Sequence, residues 1–170
     1  MLLKNLINQT SKRSNKLIIR GLAVNSKDVK KGYIFFAIKG NKSNGENYIQ
    51  EAIKKGATVI ICSDNCKFTS SEVIVVRLKK IRNYLSEVAS KFYKLKPKNI
   101  IAITGTNGKT SVADYFNQIL NINKISSASI GTLGIKLKKK IIKTNLTTPD
   151  SITLHKYLEN FKKKKINNVI

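Results

Sequence analysis

The chain has 170 residues, 41% of them hydrophobic, with two cysteines, one histidine and a formal net charge of +24. That length and apolar content suit one large or two modest globular domains and exclude a disordered chain. No apolar run approaches the roughly 18 residues of a membrane span, and Met1-Leu2-Leu3-Lys4 is interrupted by Asn5, Asn8 and Gln9 before a secretory apolar core can form, so a cytoplasmic protein without membrane insertion is expected.

The charge does not read as a nucleic-acid surface. Arginine occurs only at Arg13, Arg20, Arg77 and Arg82, whereas base-edge readers rely on arginine forks, and the lysines are scattered among Asn and Ile. No nucleic-acid partner is therefore expected. Lys162 to Lys165, the densest run, suits the C-terminal end of a helix. Cys62 and Cys66 lie far from the single His155 and are too few to hold a metal, which leaves two reduced thiols.

In chain order, Leu17 to Val24 gives short apolar strands, and Tyr33 to Ile38 is a strong strand entered through the Lys31-Gly32 turn. Tyr48 to Lys55 is a short helix stopped by Gly56, and Thr58–Cys62 and Val73–Val76 are buried strands rich in Val and Ile. Lys79 to Leu95 carries Ile81, Leu85, Val88, Ala89, Phe92 and Tyr93 at helical spacing, and Pro97 then marks a boundary. An α/β domain over residues 1–96 and a second domain over 97–170 are expected.

The second domain opens with Ile100-Ile101-Ala102-Ile103, an unalternating apolar run that fits a strand covered on both faces of a parallel sheet. It enters Thr104-Gly105-Thr106-Asn107-Gly108-Lys109-Thr110-Ser111, after which Val112, Tyr115, Phe116, Ile119 and Leu120 mark one face of a helix. Strand, glycine turn and helix in this order make a nucleotide phosphate cradle. The glycines let backbone N–H groups turn onto phosphate oxygens, the helix N-terminus adds positive potential, Lys109 reaches the outer phosphates and the Thr110 hydroxyl binds magnesium. An ordinary glycine turn with a solvated lysine would leave the agreement of loop, Lys-Thr and flanking elements unexplained. Only two residues separate Gly105 from Gly108, against four in the common P-loop.

Beyond the cradle, Ser127–Ile130 is a strand, Gly131-Thr132-Leu133-Gly134 a turn, and Ile135–Thr144 a hairpin with lysines at its tip. Thr147-Thr148-Pro149-Asp150 starts a helix marked by Ile152, Leu154, Tyr157, Leu158 and Phe161, and Ile166–Ile170 is a strand that stops without a turn, from which a missing remainder is expected.

Three segments together, Thr104–Thr110, Ser129-Ile130-Gly131-Thr132-Leu133-Gly134 and Thr147-Thr148-Pro149-Asp150, resemble the Mur ligases of peptidoglycan synthesis, most nearly the MurE type. The segment Asn25 to Gly40 is similar to the family's Asp-Ser-Arg stretch leading into its uridine-binding strand. The resemblance implies an α/β fold with a small N-terminal uridine-binding domain and a truncated P-loop-type central domain. It implies an ATP-dependent amide ligase, with ATP and Mg2+ as cofactors and UDP-MurNAc-dipeptide and a diamino acid as substrates. It places Gly105, Thr106, Asn107, Gly108, Lys109, Thr110 and Ser111 on ATP, with Lys109 and Thr110 catalytic and Thr110 on the metal. Val24, Ser26, Asn41, Lys42 and Ser43 would meet the uridine, and Thr147 and Thr148 the muramoyl and diphosphate part.

On local grounds alone Thr147 and Thr148 serve equally as a helix cap, and Ser26 as a polar turn residue. Lys27 stands where the family has arginine, and Leu146 where it has asparagine. The family's acidic magnesium ligand, carbamylated lysine and amino-acid-binding domain have no counterpart in these residues. A stand-alone nucleotide-binding module, or a degenerate relative of these ligases, without ligase chemistry is the alternative.

Overall fold

A computed structural model describes residues 1–7, 16–40, 43–137, 140–142 and 149–170. The chain divides into two compact units, Met1–Phe92 and Tyr93–Ile170.

The first unit is an all-parallel sheet of β1 (Gly21–Ala23), β2 (Tyr33–Phe36), β3 (Ala57–Ser63) and β4 (Ile74–Leu78), in that spatial order. Leu22 pairs with Ile34, Phe35 with Ile60 and Ile61 with Val76. Parallel neighbours need a crossover, and α1 (Ile49–Lys54) supplies the one between β2 and β3. It buries Ile49 and Ala52 on one face of the sheet with Phe35, Ile60 and Cys62. Side-chain alternation sends Ile34, Phe36, Val59 and Ile61 to the opposite face, and there α2 (Ile81–Phe92), which contacts β3, buries Ile81, Leu85, Val88 and Ala89. Sheet cover on both sides explains why these strands read as continuous apolar runs.

Two details fix the loops. Gly56 stops α1 at φ +98, and a Cβ there would lie 2.7 Å from the Lys31 Cα. Past β3, the Arg77 guanidinium donates to the carbonyls of Cys66 at 3.0 Å and Phe68 at 2.6 Å, pinning the turn that holds the second thiol. Both cysteines are reduced and buried. Burial first, and the neighbouring Cys66 thiol second, push the Cys62 thiol up to about 12.

The second unit contains β5 (Asn99–Ile100), α3 (Lys109–Ile122), β6 (Ser127–Gly131), β7 (Gly134–Leu137), β8 (Lys140–Ile142), α4 (Ser151–Lys163) and β9 (Asn168–Val169). The sheet order is β5-β9-β6-β7-β8, parallel through the first three strands and antiparallel through the last three. Helix α4 packs Leu158 and Phe161 with Ala128, Ile135, Ile166 and Val169. Asp150 caps α4, its carboxylate accepting from the amides of Ile152 at 2.9 Å and Thr153 at 3.1 Å.

Helix α3 departs from its expected role. Its periodic apolar residues were expected to face a core, yet Val112, Tyr115, Ile119 and Ile122 are 54%, 64%, 54% and 78% exposed. The helix is held instead by its polar side: the Ser127 hydroxyl donates to Asn117 Oδ1 at 2.8 Å, and the Asn121 amide donates to the same hydroxyl at 3.3 Å. Asn117 is the residue of α3 that is buried. Each large side chain left in water forgoes about 1.5–3 kcal/mol of burial. The expected four-residue strand at Ile100–Ile103 is likewise shortened to Asn99–Ile100, because β5 is the sheet edge with β9 as its pairing strand.

Replacing Gly56 with Ala should destabilise the first unit by roughly 1–3 kcal/mol, since the positive φ and the approach to Lys31 both oppose a side chain. Urea denaturation measures it, and an unchanged midpoint would contradict the argument. In the second unit His155 Nδ1 is buried with no hydrogen-bond partner among the described residues. Burial, then Lys96, holds the imidazole below its usual 6.5. Protonation thus favours the unfolded chain, so this unit should be most stable above pH 6.5 and weaken as pH falls through the lower folded value. His155→Leu should flatten that acid-side slope in urea titrations.

Candidate functional site

The glycine loop between β5 and α3 is built to leave amides unclaimed. Gly108 is the N-cap of α3, in the left-handed region at φ 75, and offers no side-chain oxygen to the first turn, which also lacks an acidic residue. Gly105 adopts φ +149, so a side chain is disfavoured at both ends of the turn. The first intrahelical bond runs from the Val112 amide to the Gly108 carbonyl at 2.9 Å. The earlier amides therefore point outward, aligned with the positive end of a 14-residue helix. Helix α4 makes the contrast: Asp150 already fills its N-terminus with a carboxylate. Of the two long helices in this unit, α3 is the one open to an anion.

Lys109 completes the cradle. Its ammonium donates to the carbonyls of Gly105 and, at 3.0 Å, Thr106, so the cation sits within the turn it would share with a phosphate chain. Thr104 through Ser111 are all exposed, and the polyanion could reach every one of them.

Beside the loop lies a cavity of about 360 Å3. Its floor is apolar, from Ile100–Ile103, Leu154, Leu158, Val169 and Ile170, and its polar groups are Lys109, Thr110, Asp114, Ser129, Thr132 and Lys136. Segments far apart in sequence meet here: the glycine loop, the Ser129–Gly134 turn and Pro149. Thr147 and Thr148 lie outside the described residues. Asp114 and Lys136 were not anticipated as site residues. They form an ion pair at 2.5 Å, and Gln118 donates to the other Asp114 oxygen at 2.9 Å. Lys136 chiefly, with Gln118 adding to it, holds the Asp114 carboxyl below the usual range. Nothing in the helical spacing of Asp114 distinguishes it from a solvated residue, so the pair is visible only once β7 lies beside α3.

The donors for a nucleotide triphosphate fit: outward amides, a lysine within the turn and an adjoining cavity. Those for magnesium are thinner. Among the described residues no three His, Cys, Asp or Glu side chains form a group able to hold a metal. Thr110 contributes one hydroxyl, and Asp114, the carboxylate lining the cavity, is paired with Lys136.

The candidates in the first unit are not alike. Ser26 is buried and donates to Glu51 Oε2 at 2.8 Å, which, after Lys55, keeps the Glu51 carboxyl low. Its hydroxyl therefore acts first within the fold. Val24 is half-buried just past β1. Ser43 is exposed, its carbonyl accepting from the Gly40 amide at 2.9 Å and so closing the turn, while Asn41 and Lys42 lie outside the described residues.

Two family models match the chain: "Mur ligase family, catalytic domain" over residues 18–93 and "Mur ligase middle domain" over 103–170. A 2,6-diaminopimelate-adding UDP-N-acetylmuramoyl-L-alanyl-D-glutamate ligase of Aquifex aeolicus is 39% identical over 89% of this chain and 31% of its own length. The second such ligase of Clostridium acetobutylicum is 34% identical over 99% of this chain and 36% of its own. The chain thus spans about a third of the length of the curated relatives it matches. A solved structure of a 2,6-diaminopimelate ligase superposes with a TM-score of 0.75 at 21% identity, covering 95% of this chain and 33% of its own. The MurF ligase from Thermotoga maritima in complex with ADP superposes at 0.54 and 26% identity, covering 69% of this chain and 27% of its own. No helix among the described residues is long and apolar enough to cross a membrane.

Lys109→Ala should weaken Mg-ATP binding at least about tenfold, because a charge-assisted contact of about 1.5–3 kcal/mol is lost. Calorimetry on both chains measures it, and equal affinities would end the cradle reading.

Proposed function

Because the chain belongs to the Mur ligase family, we propose that its two units are the nucleotide-sugar and ATP ends of a ligase that adds diaminopimelate to UDP-MurNAc-L-Ala-D-Glu in peptidoglycan synthesis. The observation that carries this is the uncapped N-terminus of α3, with Lys109 inside its glycine turn, in the segment that matches the middle domain. That the MurF relative was solved in complex with ADP supports an adenine nucleotide as the ligand. The amino acid is taken from the names of the curated relatives.

The reaction has two displacements. A carboxylate oxygen of the dipeptide attacks the γ-phosphorus of ATP and ADP leaves. The amine of the third amino acid then attacks the acyl carbon, phosphate departs, and the amine proton passes to solvent. Both steps crowd negative charge, which fixed donors relieve without reorganising. The amides at Gly105 to Ser111 cradle the phosphates, and Lys109 leaves the Gly105 and Thr106 carbonyls for the β- and γ-oxygens. Thr110 places its hydroxyl toward magnesium, whose role when bound is to neutralise the phosphate oxygens. Thr147 and Thr148 lie along the muramoyl diphosphate, and Val24, Ser26 and Asn41 to Ser43 beside the uridine. Ser26 serves there by bracing Glu51 and the turn after β1.

The test of the sugar-nucleotide end is NMR titration with UDP-MurNAc-dipeptide in rising salt. Shifts at Val24, Ser26 and Ser43 that persist with salt are expected. Shifts spread over surface lysines that vanish with salt would mean simple anion attraction to a cationic protein, since exposed charges are screened beyond about 8 Å at 0.15 M. ATP binding without any sugar-nucleotide binding would favour a nucleotide-binding module.

A further inference from the structure

The uridine candidates Asn41 to Ser43 follow β2, and the described residues that flank them are held from outside the segment. Lys39 and Asn44 form an isolated antiparallel bridge, and the Gly40 amide donates to the Ser43 carbonyl at 2.9 Å. Gly45 seats this bridge on the end of β2. Its amide donates to the Ile38 carbonyl at 3.0 Å, and a Cβ there would lie 2.7 Å from both Ile38 N and Ile38 O. Two short paired stretches of this kind are marginal by themselves.

Two side chains brace the bridge. Arg82, in the first turn of α2, donates from Nη2 to the Lys39 carbonyl at 2.9 Å, across 43 residues of sequence. Glu46 accepts at Oε1 from the Ser63 amide at 3.2 Å and the Ser63 hydroxyl at 2.6 Å, at the end of β3. Asn44 Oδ1 accepts from the Glu46 amide at 3.1 Å, which carries this tie into the bridge. Neither bracing side chain belongs to the core, since Arg82 is exposed and Glu46 half-buried. In an all-parallel sheet the chain leaves every strand along one edge, and ligands of open α/β sheets bind outside that edge. Val24, Lys39, Ser63 and Arg82 stand at the exits of β1, β2, β3 and β4 in turn. Both ties therefore run along the edge where Val24 and Ser26 also lie.

We infer that Arg82 and Glu46 are positioning residues for the sugar nucleotide: they hold the Lys39–Asn44 bridge from α2 and β3, so that Asn41 to Ser43 meet the uridine from a fixed frame. This rests on the reading of the preceding section, which puts the uridine beside those residues. A frame set before binding spares the cost of ordering it on binding. The opposite charges of the two residues separate this role from plain attraction of an anion to a cationic protein, because removing one lowers the positive charge and removing the other raises it.

The experiment measures binding of UDP-MurNAc-L-Ala-D-Glu to the full chain by calorimetry, for wild type, Arg82→Ala, Arg82→Lys and Glu46→Ala. Both alanine variants should weaken binding by about three- to tenfold, the scale of the ordering cost that the ties remove. Arg82→Lys should recover most of the affinity, since a single ammonium N–H can serve a single carbonyl. Without ligand, hydrogen exchange at the Gly40 amide should quicken in both alanine variants while β2 and β3 keep wild-type protection, as local opening does and global destabilisation does not. Mg-ATP affinity should stay at the wild-type value, because Lys109 lies in the other unit. Wild-type affinity in both alanine variants would overturn the inference. So would weaker binding in Arg82→Ala with tighter binding in Glu46→Ala, which would reduce the effect to charge, or loss of strand protection in step with affinity, which would make the role merely structural. Each of these leaves the uridine reading standing. A wild-type chain that binds no sugar nucleotide would instead overturn that reading, and this inference with it.

Discussion

The second unit depends on three residues that bond on both sides. The segment Asn168 to Ile170 lies between two strands, receiving the Ile101 amide at the Val169 carbonyl and exchanging Ile130 N–H to Ile170 O and Ile170 N–H to Ala128 O at 2.8 and 3.0 Å. Without this insertion the strand carrying the glycine loop and the strand ending in Gly131 would have no common sheet. The cavity beside Lys109 exists because they do. Since parallel pairing is the less forgiving arrangement and demands cover on both faces, a short inserted strand makes the whole site sensitive to what covers it.

Two helix N-termini in one unit illustrate how small a chemical difference separates structure from binding. Asp150 satisfies α4 from within. Gly108 leaves α3 open, and its positive φ is accessible to glycine at no steric cost. The charge balance follows: one end is neutralised by the Asp150 carboxylate, whereas the first turn of α3 holds no acidic residue.

How far the sequence was legible varies by interaction range. The strand, glycine turn and Lys-Thr are contiguous, so loop chemistry could be read directly, and the apolar runs gave an α/β fold with parallel strands. Periodicity showed that α3 has an apolar face but not what lies against it, since burial is a property of the sheet beyond and not of the helix. The Ser26–Glu51 bond joins residues 25 apart and the Asp114–Lys136 pair residues 22 apart, and neither spacing carries a local signal. At the start of α4 the local reading offers Thr147 and Thr148 as the cap. Asp150 performs the capping, its two-atom reach matching the second and third helical amides.

The paired thiols give the first unit a private clock. Cys62 and Cys66 are buried in one core cluster, and the Cys62 thiol, held near 12, is almost never ionised at neutral pH. Alkylating reagents attack thiolate and need access, so Cys62 must wait for the sheet to come apart, and buried Cys66 for the Arg77-pinned turn to open. Every cysteine of the chain lies before Tyr93. The rate of thiol modification therefore records the opening of this unit alone, silent to whatever happens around Lys109.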